Sequence, residues 1–215
     1  MRNDIENIKA FLIETLQRKN LVNLFANYFS RIEENYAKYG LLHKVDEFMH
    51  SYLTIYSGGE FLHKEDIYIY FRDFYQYTSK IKTDENILKH IYRYSNYYLK
   101  ILTLDINDID VKNIIQKINQ LNAKETYSYL LEVFEDYEFA HINKSMLVDI
   151  LETVLEYAAN CKFSSKKQLP FTMLSAELNK MMAMKNYIPQ VNIEDETEKK
   201  MEKNDITIND LMNLH

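Results

Sequence analysis

Hydrophobic positions recur every three or four residues along most of this chain, which is the spacing that puts side chains on one face of an α-helix. Ile5, Ile8, Leu12 and Leu16 mark a first helix over residues 1–18, and Leu24, Phe25, Tyr28, Phe29, Ile32, Tyr36 and Tyr39 mark a second over 21–39. Gly40 follows at the place where glycine commonly ends a helix. Val45, Phe48, Met49, Tyr52 and Leu53 predict a third over 44–56, before the loop Ser57, Gly58 and Gly59. Between residues 64 and 79 the alternation Ile67, Ile69, Phe71 imitates a strand. Ile67, Tyr70, Phe71, Phe74 and Tyr77 satisfy the helical period as well, and the helical flanks decide for helix.

Thr83, followed by Asp84 and Glu85, reads as an N-cap with favourable charge at the positive end of the helix dipole. The helix it starts carries Ile87, Leu88, Ile91, Tyr94, Tyr98, Leu99 and Leu102. Another follows Asp108 with Val111, Ile114, Ile115, Ile118 and Leu121. Residues 126–161 then read as two amphipathic arms on either side of 138–143. The first arm shows Leu130, Leu131, Phe134 and Tyr137. The second shows Met146, Leu147, Ile150, Leu151, Val154, Leu155 and Ala158, with Asn143 as its cap. A further helix near Pro170 has Leu174, Leu178, Met181 and Met182 on one edge. The expectation is an all-α fold, a compact bundle of about nine helices built from these periodic stretches.

The pattern weakens at Pro189. Glu194, Asp195, Glu196, Glu198, Glu202 and Asp205 stand against Lys199, Lys200 and Lys203, with Met201 the one large apolar residue, so a mobile acidic segment is expected. The organisation read from the chain is a helical domain over 1–188, an acidic flexible linker over 189–205 and a short amphipathic segment over 206–215. In the last of these, Ile206, Ile208, Leu211, Met212 and Leu214 form a candidate partner-binding edge.

Composition supports helices: three glycines and two prolines leave very few of the residues that punctuate hairpins. With glycine only at 40, 58 and 59, a phosphate-cradling P-loop or a dinucleotide fingerprint is excluded. The single cysteine, Cys161, rules out an internal disulfide and reads as a small apolar residue near a helix end. It also fits a reducing compartment, and with no span of about 20 apolar residues and no secretory signal the expectation is a cytoplasmic protein that does not cross a membrane. No cofactor is expected.

A formal charge of −6 removes the simplest electrostatic case for nucleic acid. A local basic face remains, because Lys80, Lys82, Lys89, Arg93 and Lys100 gather around one helix, interleaved with Tyr92, Tyr94, Tyr97 and Tyr98. Cations on phosphates and rings on bases are one reading. A solvated face with tyrosines packed by their rings is the stronger one. The abundance of tyrosine, 18 in all, together with Asn, Lys and Ile, matches the output of an A- and T-rich coding sequence.

Metal and acid–base chemistry find little support. His43 and His50 lie seven apart, while His63, His90, His141 and His215 fall on separate elements, without the ligand spacing of a zinc site. The acid pairs Glu33 and Glu34, and Glu135 and Asp136, are read as solvated helix-surface carboxylates. No catalytic residue is assigned.

Several runs, taken in order, resemble the helical region of the GmrSD-type restriction-enzyme family. IENIKAFLIETL at 5–16 is similar to the helix after that family's catalytic lobe, and NYFSRIEENY at 27–36 to its aromatic helix ending in an Ile-Glu pair, here Ile32 and Glu33. DEFMHSYLTIYSG at 46–58 and DIYIYFRDFYQY at 66–77 resemble its Phe-x-x-x-Tyr-Leu helix, loop and Tyr-x-x-Phe helix. TYSYLLEVFEDY at 126–137, the helix through Ala158 and Cys161, and LPFTMLSAELNKM at 169–181 resemble its closing portion. The chain departs at Lys9 and Ala10, and at Ala159 and Asn160. The family's Asp-Gly-Gln-Gln-Arg nucleotide lobe and its His-Asn-His nuclease lobe are not in this sequence. The resemblance therefore implies a non-catalytic helical scaffold of an anti-phage restriction protein, partnered by a nuclease or NTPase lobe or subunit, with one wall of a DNA channel as a further expectation. A free-standing helical adaptor for protein partners is the alternative reading.

Overall fold

Nine α-helices and three short 3-10 or π turns make up the described part of the chain, with no strand among the described residues. The computed structural model describes residues 4–57 and 67–163, with side chains through Cys161. The helix expected near Pro170, the acidic segment 189–205 and the terminal edge Ile206, Ile208, Leu211, Met212 and Leu214 lie outside the described residues, as do His63 and His215.

α1 (Asp4–Arg18) buries Ile5, Ile8, Leu12 and Leu16, the expected stripe. Its first turn is held from another helix, because Asp46 accepts the Ile5 amide and so satisfies one of the donors that a helix start leaves unpaired. The second predicted helix is present but interrupted: α2 (Val22–Leu24) passes through a π turn (Phe25–Phe29) into α3 (Ser30–Lys38). The buried residues are Leu24, Phe29, Ile32 and Tyr36. The five-residue step from Leu24 to Phe29 is what a π turn accommodates, and it leaves Phe25 and Tyr28 at the margin of the core. Gly40, at φ +69°, closes the element, donating to the Ala37 carbonyl while Leu41 reaches back to that of Tyr36.

After a 3-10 turn (Leu42–Lys44) comes α4 (Val45–Tyr56), whose buried residues include Phe48, Met49, Tyr52, Leu53, Ile55 and Tyr56. α5 (Ile67–Thr78) is helical despite its local alternation, and its buried face runs through Ile67, Phe71, Phe74, Tyr75 and Thr78. α6 (Asp84–Thr103) starts at the predicted cap, with Thr83 Oγ1 accepting the Asn86 amide at 3.2 Å, and ends at Leu104 in a left-handed conformation. α7 (Ile109–Leu121) is capped by Asp108, which accepts the amides of Asp110 and Val111 at 3.0 and 3.2 Å.

A 3-10 turn (Lys124–Thr126) leads into α8 (Tyr127–Glu138), and Asn143 caps α9 (Lys144–Phe163) by accepting the Met146 amide at 3.0 Å. α8 is the inner helix, with every residue from Tyr127 to Asp136 buried. It packs against α4, α6 and α9, while α1 packs on α5 and α7 on α9. One hydrophobic core runs through all of these elements.

Candidate functional site

An inner helix is normally apolar all round, yet α8 carries Glu132, Glu135 and Asp136 within two turns, each at most 4 % exposed. The acid pair expected on a solvated surface is therefore inside the bundle, and Glu132, to which the spacing drew no attention, joins it. Burial of a lone carboxylate is strongly unfavourable, so each of these groups demands a physical account.

Glu135 is met by Arg93 of α6. The guanidinium Nε donates to Oε2 at 2.8 Å, Nη2 donates to Oε1, and the Tyr97 hydroxyl adds a third bond to Oε2 at 2.9 Å. This two-pronged pairing suits the planar fork of arginine and fixes the register of α6 on α8. The outer face of Arg93 covers the Phe139 ring at 4.8 Å. Asp136 receives His141 Nδ1 at 3.2 Å on its side chain, and its carbonyl accepts the amides of His141 and Ile142 at 2.8 and 3.4 Å. That carboxylate therefore staples the turn after α8 back onto the helix.

Glu132 differs: its Oε1 is buried without a hydrogen-bond partner. Burial, then the charges of Asp136 and Glu135, push its carboxyl up to about 8. The neighbouring aromatic wall is also polar. His90 Nδ1 lies 3.0 Å from the Tyr52 hydroxyl, its ring stacks on Tyr94 at 4.3 Å, and Tyr52 is hydrogen-bonded in turn to Tyr56. His90 Nε2 is buried and unpartnered, and burial, with Arg93 and Lys82 nearby, holds the imidazole well below its usual range, hence neutral. Burial likewise raises the Tyr52, Tyr56 and Tyr94 phenols, which stay protonated.

The basic face predicted around α6 is divided by the packing. Lys80, Lys89 and Lys100 are exposed and Lys82 is half-buried, but Arg93, the central cation, is committed to Glu135. Lys80 and Lys100 lean over the rings of Tyr77 and Tyr97. Tyr94, Tyr97 and Tyr98 point into the core and Tyr92 is half-buried, so these rings serve packing. Tyr28 and Tyr92 meet edge to face at 6.2 Å, a contact that joins the π turn to α6.

Among the described residues no three His, Cys, Asp or Glu side chains converge to hold a metal ion. Cys161 is half-buried against the core. A surface groove of about 540 Å³ lies between the start of α1 and the turn before α4, lined by Ile5, Glu6, Glu33, Leu42, His43 and Asp46 among others. Lys9 bridges two of those acids, at 3.2 Å to Glu6 and 2.9 Å to Glu33. No described helix is long and apolar enough to cross a membrane.

The fold and its interior define the class: an all-α bundle with a charged, hydrogen-bonded centre around one inner helix. No family model, no curated protein and no solved structure matches this chain.

Proposed function

We propose that this chain is a helical scaffold and interaction domain without chemistry of its own, the support of a nuclease or NTPase lobe in a GmrSD-like anti-phage restriction protein. The observation that carries the scaffold reading is the Arg93–Glu135 clamp. The best-formed charged constellation in the bundle is spent on itself, locking α6 to α8. At the same end of α8, Tyr137 and Phe139 face solvent at 39 % and 50 % exposure, and a ring beside a fixed arginine is the sort of anchor that protein interfaces use. The restriction-protein placement is supported by the order and spacing of the sequence runs at 5–16, 27–36, 46–58, 66–77, 126–161 and 169–181.

Co-expression with the products of adjacent reading frames tests the reading. The expected result is a stable complex with a lobe that carries the Asp-Gly-Gln-Gln-Arg motif, weakened by Phe139→Ala. NTP hydrolysis or DNA cleavage by the isolated chain would overturn it. A DNA-lining role for Lys80, Lys82, Lys89 and Lys100 predicts retardation of long duplex at low salt that fades at moderate salt, and no retardation at low salt ends that part of the proposal.

A further inference from the structure

Three carboxyl groups share the buried length of α8, and the fold treats them unequally. Glu135 has Arg93 and Tyr97; Asp136 has His141 and lies where the chain turns; Glu132 Oε1 is buried with no partner. We propose that Glu132 is a proton-operated latch: the bundle closes around its neutral carboxyl, and loss of that proton loosens α8 from α4 and α6.

Among the described residues, the surroundings leave little means of stabilising a charge there. On α8 itself the titratable neighbours are Tyr129, Glu135 and Asp136, two of them acids. From α4 come the phenols Tyr52 and Tyr56; from α6 come Tyr94, the neutral His90, and Arg93, already held by Glu135. The buried positions of α9 contribute Tyr157 as their titratable side chain. The turn before α8 carries Lys124 and Glu125 about two helical turns away, and Lys124 is bridged to Glu47 at 3.0 Å. A carboxylate at Glu132 would face two others and no uncommitted cation among these groups.

The carboxyl titrates at about 8 inside the fold, against 4.5 when solvated. The closed form therefore holds a proton that any form hydrating Glu132 releases. Over that window each pH unit favours the open form, and above it the preference levels off.

Thermal and denaturant unfolding of the full chain between about pH 6.5 and about pH 8 tests the latch. The wild-type unfolding constant is expected to rise roughly tenfold across that interval. In Glu132→Gln, a neutral isostere, the rise should vanish, and Glu132→Met provides the same comparison should the amide fail to fold. Infrared difference spectra provide a readout that packing alone would not move: a protonated-carboxyl band that disappears with a midpoint near 8 in the wild type and is absent from Glu132→Gln. Amide exchange, corrected for intrinsic rates, should quicken with pH first in α8. An unchanged pH dependence in both variants, a carboxyl that titrates like a solvated one, or quickening spread evenly over all helices would each overturn the proposal.

Discussion

Arg93 shows how much one side chain can hold in this protein. Replacing it with methionine keeps the stem and the packing but leaves Glu135, at 4 % exposure, without its cation. Stranding a buried charge in this way is expected to cost about 3 kcal/mol. Denaturant unfolding of Arg93→Met measures it, and Glu135→Gln in the same background should recover part of the loss, since the stranded charge is then gone. A cost within experimental error for Arg93→Met would mean the clamp contributes nothing net. Sequence reading placed Arg93 on a basic surface with Lys89 and Lys100, four and seven residues either side. Spacing along one helix cannot reveal that a carboxylate on another, 42 residues away, takes the central cation.

At the scale of elements, the termini carry the testable physics. Thr83 caps the 20-residue α6 through a single side-chain bond, so Thr83→Ala is expected to lower stability by about 1 kcal/mol, read as a shifted unfolding midpoint with an unchanged slope. Ala140, after α8, sits at φ 58°, a left-handed conformation that disfavours any residue with a Cβ. Ala140→Gly should therefore raise stability by about 1 kcal/mol, the balance of relieved strain against a more flexible unfolded chain. These helices were legible because caps and periodicity are local. Thr83 and Asn143 cap as their positions announced, Asp108 caps the helix expected to follow it, and Gly40 closes its helix. The π turn at Phe25–Phe29 was not legible, because the heptad-like run Leu24, Phe25, Tyr28, Phe29 fits an uninterrupted helix equally well until the neighbouring helices choose which rings to bury.

For the whole molecule, His90 and Glu132 together shape the response to pH. Burial holds His90 below its solvated value of 6.5, so its contribution to stability is complete above that value and is lost as pH falls toward the folded one. Glu132 is raised above its solvated 4.5, so its contribution is complete below that pH and is lost as pH rises to about 8. Just below 6.5 the two slopes oppose each other, and above 6.5 the glutamate acts without the histidine. Melting temperature is therefore expected to change less steeply just below 6.5 than from there to about pH 8, where it falls. Replacing His90 with phenylalanine should remove the opposing slope, so that the decline just below 6.5 becomes steeper. A profile that stays flat through the higher interval would contradict the Glu132 assignment, and an unchanged slope below 6.5 in His90→Phe would contradict that of His90.

Helical class, element order and caps were determined by the sequence alone, because each depends on residues within a turn or two of one another. Tertiary structure decided which helix is enclosed on every side. That choice made α8 the inner helix, and an inner helix surrounds whatever it carries. Adjacent acids such as Glu135 and Asp136 are solvated on any helix that keeps a free side, and nothing local distinguishes them from the same acids on a helix that has none. Their partners come from α6 and from the turn after α8, and the missing partner of Glu132 became visible only once α4, α6 and α9 had closed around it.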